Sequence, residues 1–188
     1  MTAWMNLGQQ LKMNAKKYPA TVALKDKDRS FTYPETNQRV NRLAHRLLSM
    51  GLSKGDKVAV FMENSIEIVE IFLATAKTGL VIVPINFRLV AREVEYIVDN
   101  SDAKAFFVDA EFAPMIDTVK DNLTNIPPEN YVAVGPVCEG YNEYEAFMAD
   151  AGDHEPVTDV DSRDTWILIY TSGTTGKPKG VVRSHESH

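Results

Sequence analysis

One cysteine, Cys138, occurs in 188 residues. No disulfide framework and no cysteine-rich metal site can be built from it within one chain. Its setting, "AVGPVCEGY", offers no neighbouring base, so Cys138 reads as a packing or surface residue rather than a nucleophile. Basic charge is also scarce: 20 Lys and Arg stand against 26 Asp and Glu, a net charge of −6. That argues against nucleic acid or an anionic membrane as the main partner, because both require a basic face. It leaves room for one anionic nucleotide at a local positive site. Long apolar runs are missing. The most apolar region, 65–85, carries Glu67, Glu70 and Lys77 and is no membrane span. "MTAWMNLGQQ" lacks the basic-then-apolar build of a signal peptide. With the single cysteine, this gives the expectation of a reducing, cytoplasmic setting. The four histidines are scattered, and His185 and His188 read as frayed terminal residues rather than a metal pair.

The periodicity that is present changes along the chain. Residues 3–18 place Trp4, Leu7, Leu11, Ala15 and Tyr18 on one helical face. "TVALK" (21–25) and "SFTY" (30–33) are strand-like and joined by the charged turn "DKDR", which predicts a hairpin. "TYPE" then opens a helix: Thr32 caps it, Glu35 completes a capping box, and Pro34 is tolerated in the first turn. Its stripe is Val40, Leu43, Ala44, Leu47 and Leu48, and Gly51 closes it. Strands are expected at 57–61, 80–85, 104–109 and 131–135, and helices at 65–78, 91–100 and 111–122. In the 65–78 helix Ile66, Val69, Phe72, Leu73 and Ala76 are expected to face inward; in the 91–100 helix, Val94, Ile97 and Val98. Alternating strands and helices imply right-handed crossovers and an α/β fold. The expected architecture is one α/β subdomain over 1–188, with a mostly parallel sheet, helices on both faces, and an N-terminal helix and β-hairpin.

Residues 139–164 hold nine acids and one arginine, with aromatics at 141, 144 and 147 suggesting a short helix. Without compact ligand spacing, this reads as a solvated acidic connector rather than a carboxylate metal site. "TWILIY" (165–170) is a strand that delivers the most informative stretch, Thr171-Ser172-Gly173-Thr174-Thr175-Gly176-Lys177-Pro178-Lys179-Gly180. Four hydroxyls can donate to phosphate oxygens. Three glycines let backbone N–H groups aim at an anion. Two lysines add charge with flexible reach. A plain hairpin turn needs one or two turn residues, not ten. The stretch is not a Walker A loop, because Pro178 follows Lys177 and Thr171 stands where the first glycine belongs. Nor is it G-x-G-x-x-G, whose loop opens a helix. Apolar residues on both sides predict strand, loop and strand over 165–183.

"YTSGTTGKPKG" (170–180) resembles, over eleven residues, the signature of the adenylate-forming superfamily: acyl-CoA synthetases, luciferases and peptide-synthetase adenylation domains. "FTYPET" (31–36) resembles the family's early "LTYxEL" element, and "AKTGLVIVPIN" (76–86) its "KAGxxxxPL" element. The continuation "PINFRLVAREVEYIVDNSDAKAFFV" resembles fatty-acyl and aryl CoA ligases rather than peptide-synthetase domains. The resemblance covers the whole chain but only the front of the family's large N-terminal domain, so the chain is expected to be an N-terminal portion ending after the phosphate loop. "RSHESH" resembles the start of the family's next helix, with Ser184 as cap.

The resemblance implies an ATP-dependent carboxylic acid:CoA ligase. A carboxylate attacks the α-phosphate of Mg2+-bound ATP, giving acyl-AMP and pyrophosphate, and CoA then takes the acyl group. Thr171, Ser172, Gly173, Thr174, Thr175, Gly176, Lys177 and Lys179 are the implied ATP/phosphate-binding residues. Lys179 is weighted over Lys177 because it fills the fixed lysine place in "PKG". No complete catalytic set and no metal ligand is expected within these residues. The chain alone is expected to be inactive and to self-associate through exposed apolar faces. A stand-alone, non-catalytic nucleotide- or partner-binding module is the alternative. A flavodoxin-like carrier fits less well, because its phosphate loop follows the first strand and opens a helix.

Overall fold

The computed structural model describes residues 5–171 and 177–187. It begins with helix α1 (Leu7–Lys17), capped by a reciprocal pair: the Asn6 side chain accepts from Gln9 N and the Gln9 side chain accepts from Asn6 N. Strands β1 (Val22–Lys25) and β2 (Ser30–Thr32) form the expected antiparallel hairpin. Helix α2 (Tyr33–Ser49) starts at the predicted capping box, with Glu35 Oε2 accepting from Thr32 N at 2.7 Å.

Among the described residues the main sheet has seven strands. In chain order they are β3 (Lys57–Phe61), β4 (Val81–Pro84), β5 (Ala103–Asp109), β6 (Tyr131–Val134), β7 (Asn142–Glu143), β8 (Thr165–Thr171) and β9 (Lys179–Ser184). Their spatial order is β7-β6-β5-β3-β4-β8-β9, and all neighbours are parallel except the β8–β9 hairpin. Crossovers are made by α3 (Ile66–Thr78) between β3 and β4, and α4 (Ala91–Asn100) between β4 and β5. Strand alternation sorts the core into two layers. Val58, Val60, Ile82 and Phe107 face α1, α2, α3 and α6 (Tyr144–Met148). Ala59, Phe61, Val83 and Phe106 face α4 and α5 (Ala113–Asp117).

Three expectations are corrected. In α3 the buried face is not the apolar stripe alone. Glu67, Glu70 and Lys77 are buried beside Ile66, Ile71, Ala74 and Ala76, while Val69 is 36% exposed and Phe72 and Leu73 are half-buried. The helix is enclosed by α1, α2 and the sheet, and each buried charge has a fixed partner: Arg29 for Glu67, Arg39 for Glu70 and Glu155 for Lys77. Pairing lets these charges lie where the apolar period alone would exclude them.

The single helix expected at 111–122 is three short pieces: a 3₁₀ turn at Ala110–Phe112, α5, and a 3₁₀ turn at Lys120–Asn122. Pro114 fits only a first turn and so restarts the helix. The Thr118 hydroxyl donates to Met115 O at 2.7 Å, tightening its end.

His185 is not frayed. It is 6% exposed and lies parallel on Trp166, with ring centroids 5.6 Å apart, in a 3₁₀ turn at His185–Ser187. Flat stacking on a large indole removes both rings from water.

Residues 139–164 are acidic but seated on the fold. Tyr144, Phe147 and Met148 are core residues. Asn41 Nδ2 donates to Asp153 O at 2.8 Å, Lys54 Nζ donates to Asp159 O at 3.0 Å, and Arg39 pairs with Glu145 at 2.6 Å. Cys138 is half-buried against the second core layer, as a packing residue.

Candidate phosphate site at the carboxyl edge of the sheet

Strand β8 runs parallel to β4, with Ile82 opposite Ile167. Both strands therefore end on the same edge, together with β3 and β5. In parallel α/β sheets, ligands collect outside the carboxyl ends of the strands. Here that edge carries Glu63 after β3, the Ile85–Arg88 turn after β4, Asp109 at the end of β5 and Thr171 at the end of β8.

The hydroxyl-, glycine- and lysine-rich stretch springs from this edge between β8 and β9. Of its predicted residues, Ser172, Gly173, Thr174, Thr175 and Gly176 lie outside the described residues. Thr171, Lys177 and Lys179 are placed and exposed. Thr171 and Lys179 are cross-strand partners at the mouth of the hairpin, so their side chains share one face. Lys177 is held elsewhere: its ammonium sits 5.4 Å from the centre of the Tyr96 ring on α4. The structure thus brings Thr171 and Lys179 together and sets Lys177 toward the helix. Beside them, Gly180 lies opposite Tyr170, and a Cβ there would come within 2.9 Å of Leu168 Cδ1. The glycine of "PKG" thus gives room to the side chains that seat β8.

Several edge residues were not singled out from the sequence. Asp109 Oδ2 accepts from Glu63 N at 2.7 Å, and burial, with Glu111, Glu63 and Glu67 nearby, holds its carboxyl above the usual range. Phe87 stacks on Phe112, which meets Phe61 edge-on at 5.2 Å, and the Arg88 guanidinium lies over Phe87. The signal available for Asp109 was its place at the carboxyl end of an apolar strand. The aromatic wall had none, because Phe61 ends β3, Phe87 lies between β4 and α4, and Phe112 lies in the 3₁₀ turn after β5. Among the described residues, no cluster of three or more His, Cys, Asp or Glu is set to hold a metal ion, and no helix is long and apolar enough to cross a membrane.

Residues 11–188 match the model of the AMP-binding enzyme family. The long-chain-fatty-acid–CoA ligase FadD13 of Mycobacterium tuberculosis is 38% identical over 97% of this chain and 35% of its own length. The fatty acid–[acyl-carrier-protein] ligase ScoC of Streptomyces coeruleorubidus is 37% identical over 96% of this chain and 33% of its own. Among solved structures, the inhibitor-bound N-terminal domain of FACL13 from M. tuberculosis superposes with a TM-score of 0.87 at 34% identity, covering 97% of this chain and 45% of that one. The anthranilate CoA ligase AuaEII, in complex with anthranoyl-AMP, gives a TM-score of 0.92 at 28% identity, covering 99% of this chain and 36% of that one. The chain spans about a third of the length of these curated relatives. The family match over nearly the whole chain, the fold it shares with these ligases and the phosphate-loop stretch agree: this chain belongs to the AMP-binding enzymes.

Proposed function

We propose that the chain is the N-terminal part of an ATP-dependent, AMP-forming acyl-CoA ligase of the cytoplasm, and that it supplies the loop that holds the departing pyrophosphate. The observation that carries this reading is the placing of Thr171 opposite Lys179, at the carboxyl edge of a parallel sheet, on the stems of the hydroxyl- and glycine-rich stretch. In this role the Lys179 ammonium stabilises charge developing on the β- and γ-phosphates, and Thr171 donates its hydroxyl to them. Ser172, Thr174 and Thr175 add hydroxyl donors, Gly173 and Gly176 free their N–H groups to turn toward the anion, and Lys177 adds charge at the rim. The substrate class is a carboxylic acid, and the names of the relatives favour a fatty acid. CoA is the acyl acceptor. Mg2+ enters as counter-ion of the nucleotide; among the described residues no cluster provides its ligands.

The test is made on the 188-residue chain. Isothermal titration with inorganic pyrophosphate should give saturable binding that Lys179→Ala weakens about tenfold, the worth of one charge-assisted contact. With MgATP, palmitate and CoA the same chain should form no acyl-CoA. Equal pyrophosphate binding by the wild type and Lys179→Ala would overturn the assigned site, and acyl-CoA synthesis by the pure chain would overturn the partial role.

A further inference from the structure

The stems of the hairpin on either side of residues 172–176 are both fastened to one helix. The Tyr170 hydroxyl, on the β8 stem, donates to Asn100 Oδ1 at 2.8 Å. The Tyr96 hydroxyl donates to the carbonyl of Pro178, on the stem entering β9, at 3.3 Å. Tyr96 also lies under the Lys177 ammonium. Tyr96 and Asn100 are four residues apart on α4 and so share one face. Burial, then nearby Tyr96 and Asp102, hold the Tyr170 hydroxyl above its ordinary range. A cleft of about 520 Å3 opens where the hairpin meets the helix, lined in part by Arg92, Tyr96, Asp99, Lys177 and Pro178. The rings of Tyr96 and Tyr170 pack against the second core layer, and their hydroxyls reach beyond it to Pro178 and Asn100. Val94, Ile97 and Val98 already seat α4 on the sheet, while Asn100 is exposed and Tyr96 only half-buried.

We propose that Tyr96 is a positioning residue for phosphate binding, with Asn100 as its companion: α4 grips both stems of the phosphate hairpin and fixes the direction from which Thr171 and Lys179 meet the ligand. The inference rests on the phosphate-site reading above. Its physical basis is preorganisation. A hairpin mouth held by two side-chain hydrogen bonds has less freedom to lose when an anion binds than one held by its backbone ladder alone. Tyr96 touches no ligand in this role. It acts through Pro178 and Lys177. Sequence reading passed over it because an aromatic on an amphipathic helix reads as ordinary packing.

The experiment titrates inorganic pyrophosphate into the 188-residue chain and into Tyr96→Leu, Tyr96→Phe, Asn100→Ala and Lys179→Ala, with a thermal melt of each. Tyr96→Leu should weaken binding about tenfold, the combined worth of one hydrogen bond and a cation–π contact, with the melting midpoint held near that of the wild type. Tyr96→Phe keeps the ring beneath Lys177 and should recover part of that loss. Asn100→Ala should weaken binding about threefold. Wild-type affinity in Tyr96→Leu, with Lys179→Ala still impaired, overturns the positioning role and leaves the phosphate site standing. A weakening that follows only from a lowered midpoint, with no recovery in Tyr96→Phe, overturns it as well. No pyrophosphate binding by the wild-type chain refutes the site itself, and the positioning role with it.

Discussion

The ammonium of Lys77 lies 2.7 Å from Glu155 Oε2, with the lysine side chain 3% exposed. It also donates at 2.7 Å to Asn37 Oδ1 and to Asn41 Oδ1, so all three of its protons are used. Gly8 stands behind the lysine stem, where a Cβ would come within 2.4 Å of Lys77 Cγ. One residue of α3 thus ties α2 to the acidic segment that leads into β8. The pair shifts unequally. Burial dominates at Lys77 and lowers its pKa despite Glu155, whereas at the half-buried Glu155 the bonds from Lys77 and Asn37 outweigh burial and hold the carboxyl below its usual range.

Lys77→Met is expected to cost about 3 kcal/mol, because it leaves Glu155 and two amide oxygens without their cation in a partly closed site. Urea unfolding checks the magnitude. Hydrogen exchange should localise the loosening to residues 150–160, with the core of β3 and β5 still protected.

Acid should loosen the same tie. Glu155 and Glu67 have folded pKa values below their ordinary 4.5, through Lys77 and Arg29 respectively, against the opposing effect of burial. A lowered folded pKa contributes stability that is present above the unfolded value and is lost as pH falls through the folded one. The urea midpoint should therefore drop below about pH 4.5. In Glu155→Gln the curve should start lower at neutral pH and fall less steeply with acid. Equal slopes for the two proteins would show that Glu155 carries no linkage.

Asp109 works in the opposite sense. Burial raises its pKa, with nearby Glu111, Glu63 and Glu67 adding to the effect. A raised carboxyl contributes stability that is present below the unfolded pKa and lost as pH rises through the folded one. Asp109→Asn keeps an oxygen to accept from Glu63 N and removes the charge. It should raise the urea midpoint at pH 7 by a small amount, and the gain should shrink as pH falls and the aspartic acid takes up its proton. A carboxylate kept at this edge against stability fits a ligand-facing role better than a packing one.

These groups also mark where the sequence was legible. The parallel sheet, the hairpin and α2 were readable because period, caps and turns agreed: Thr32 with Glu35, Gly51 after α2, and the unbroken apolar run of β3. The hydroxyl-rich stretch stood out because its composition exceeds what a turn needs, though five of its ten residues, 172–176, lie outside the described ones. Glu67, Glu70 and Lys77 were not, since their partners at Arg29, Arg39 and Glu155 are 31 to 78 residues away in sequence and only the fold joins them. Tyr96 was missed for the same reason. Its packing position is a local property, but its bond to Pro178 spans 82 residues.

Strand β9 stands at one end of the sheet order. Among the described residues this strand pairs only with β8, and it carries Val181 at 45% and Val182 at 64% exposure. An open edge strand offers unpaired N–H and C=O groups to another strand. A second copy of the chain can supply it: antiparallel pairing about a two-fold axis sets Val182 of one copy opposite Val182 of the other and covers the β9 edge of both. Sedimentation velocity should show dimer increasing with concentration through the micromolar range. Val182→Lys should return the chain to monomer, because a charge on the edge opposes pairing. Its melting midpoint should hardly move, since an exposed strand residue away from the core contributes little to stability. A wild-type chain that stays monomeric at every concentration would show that this edge is too weak to pair with its own copy.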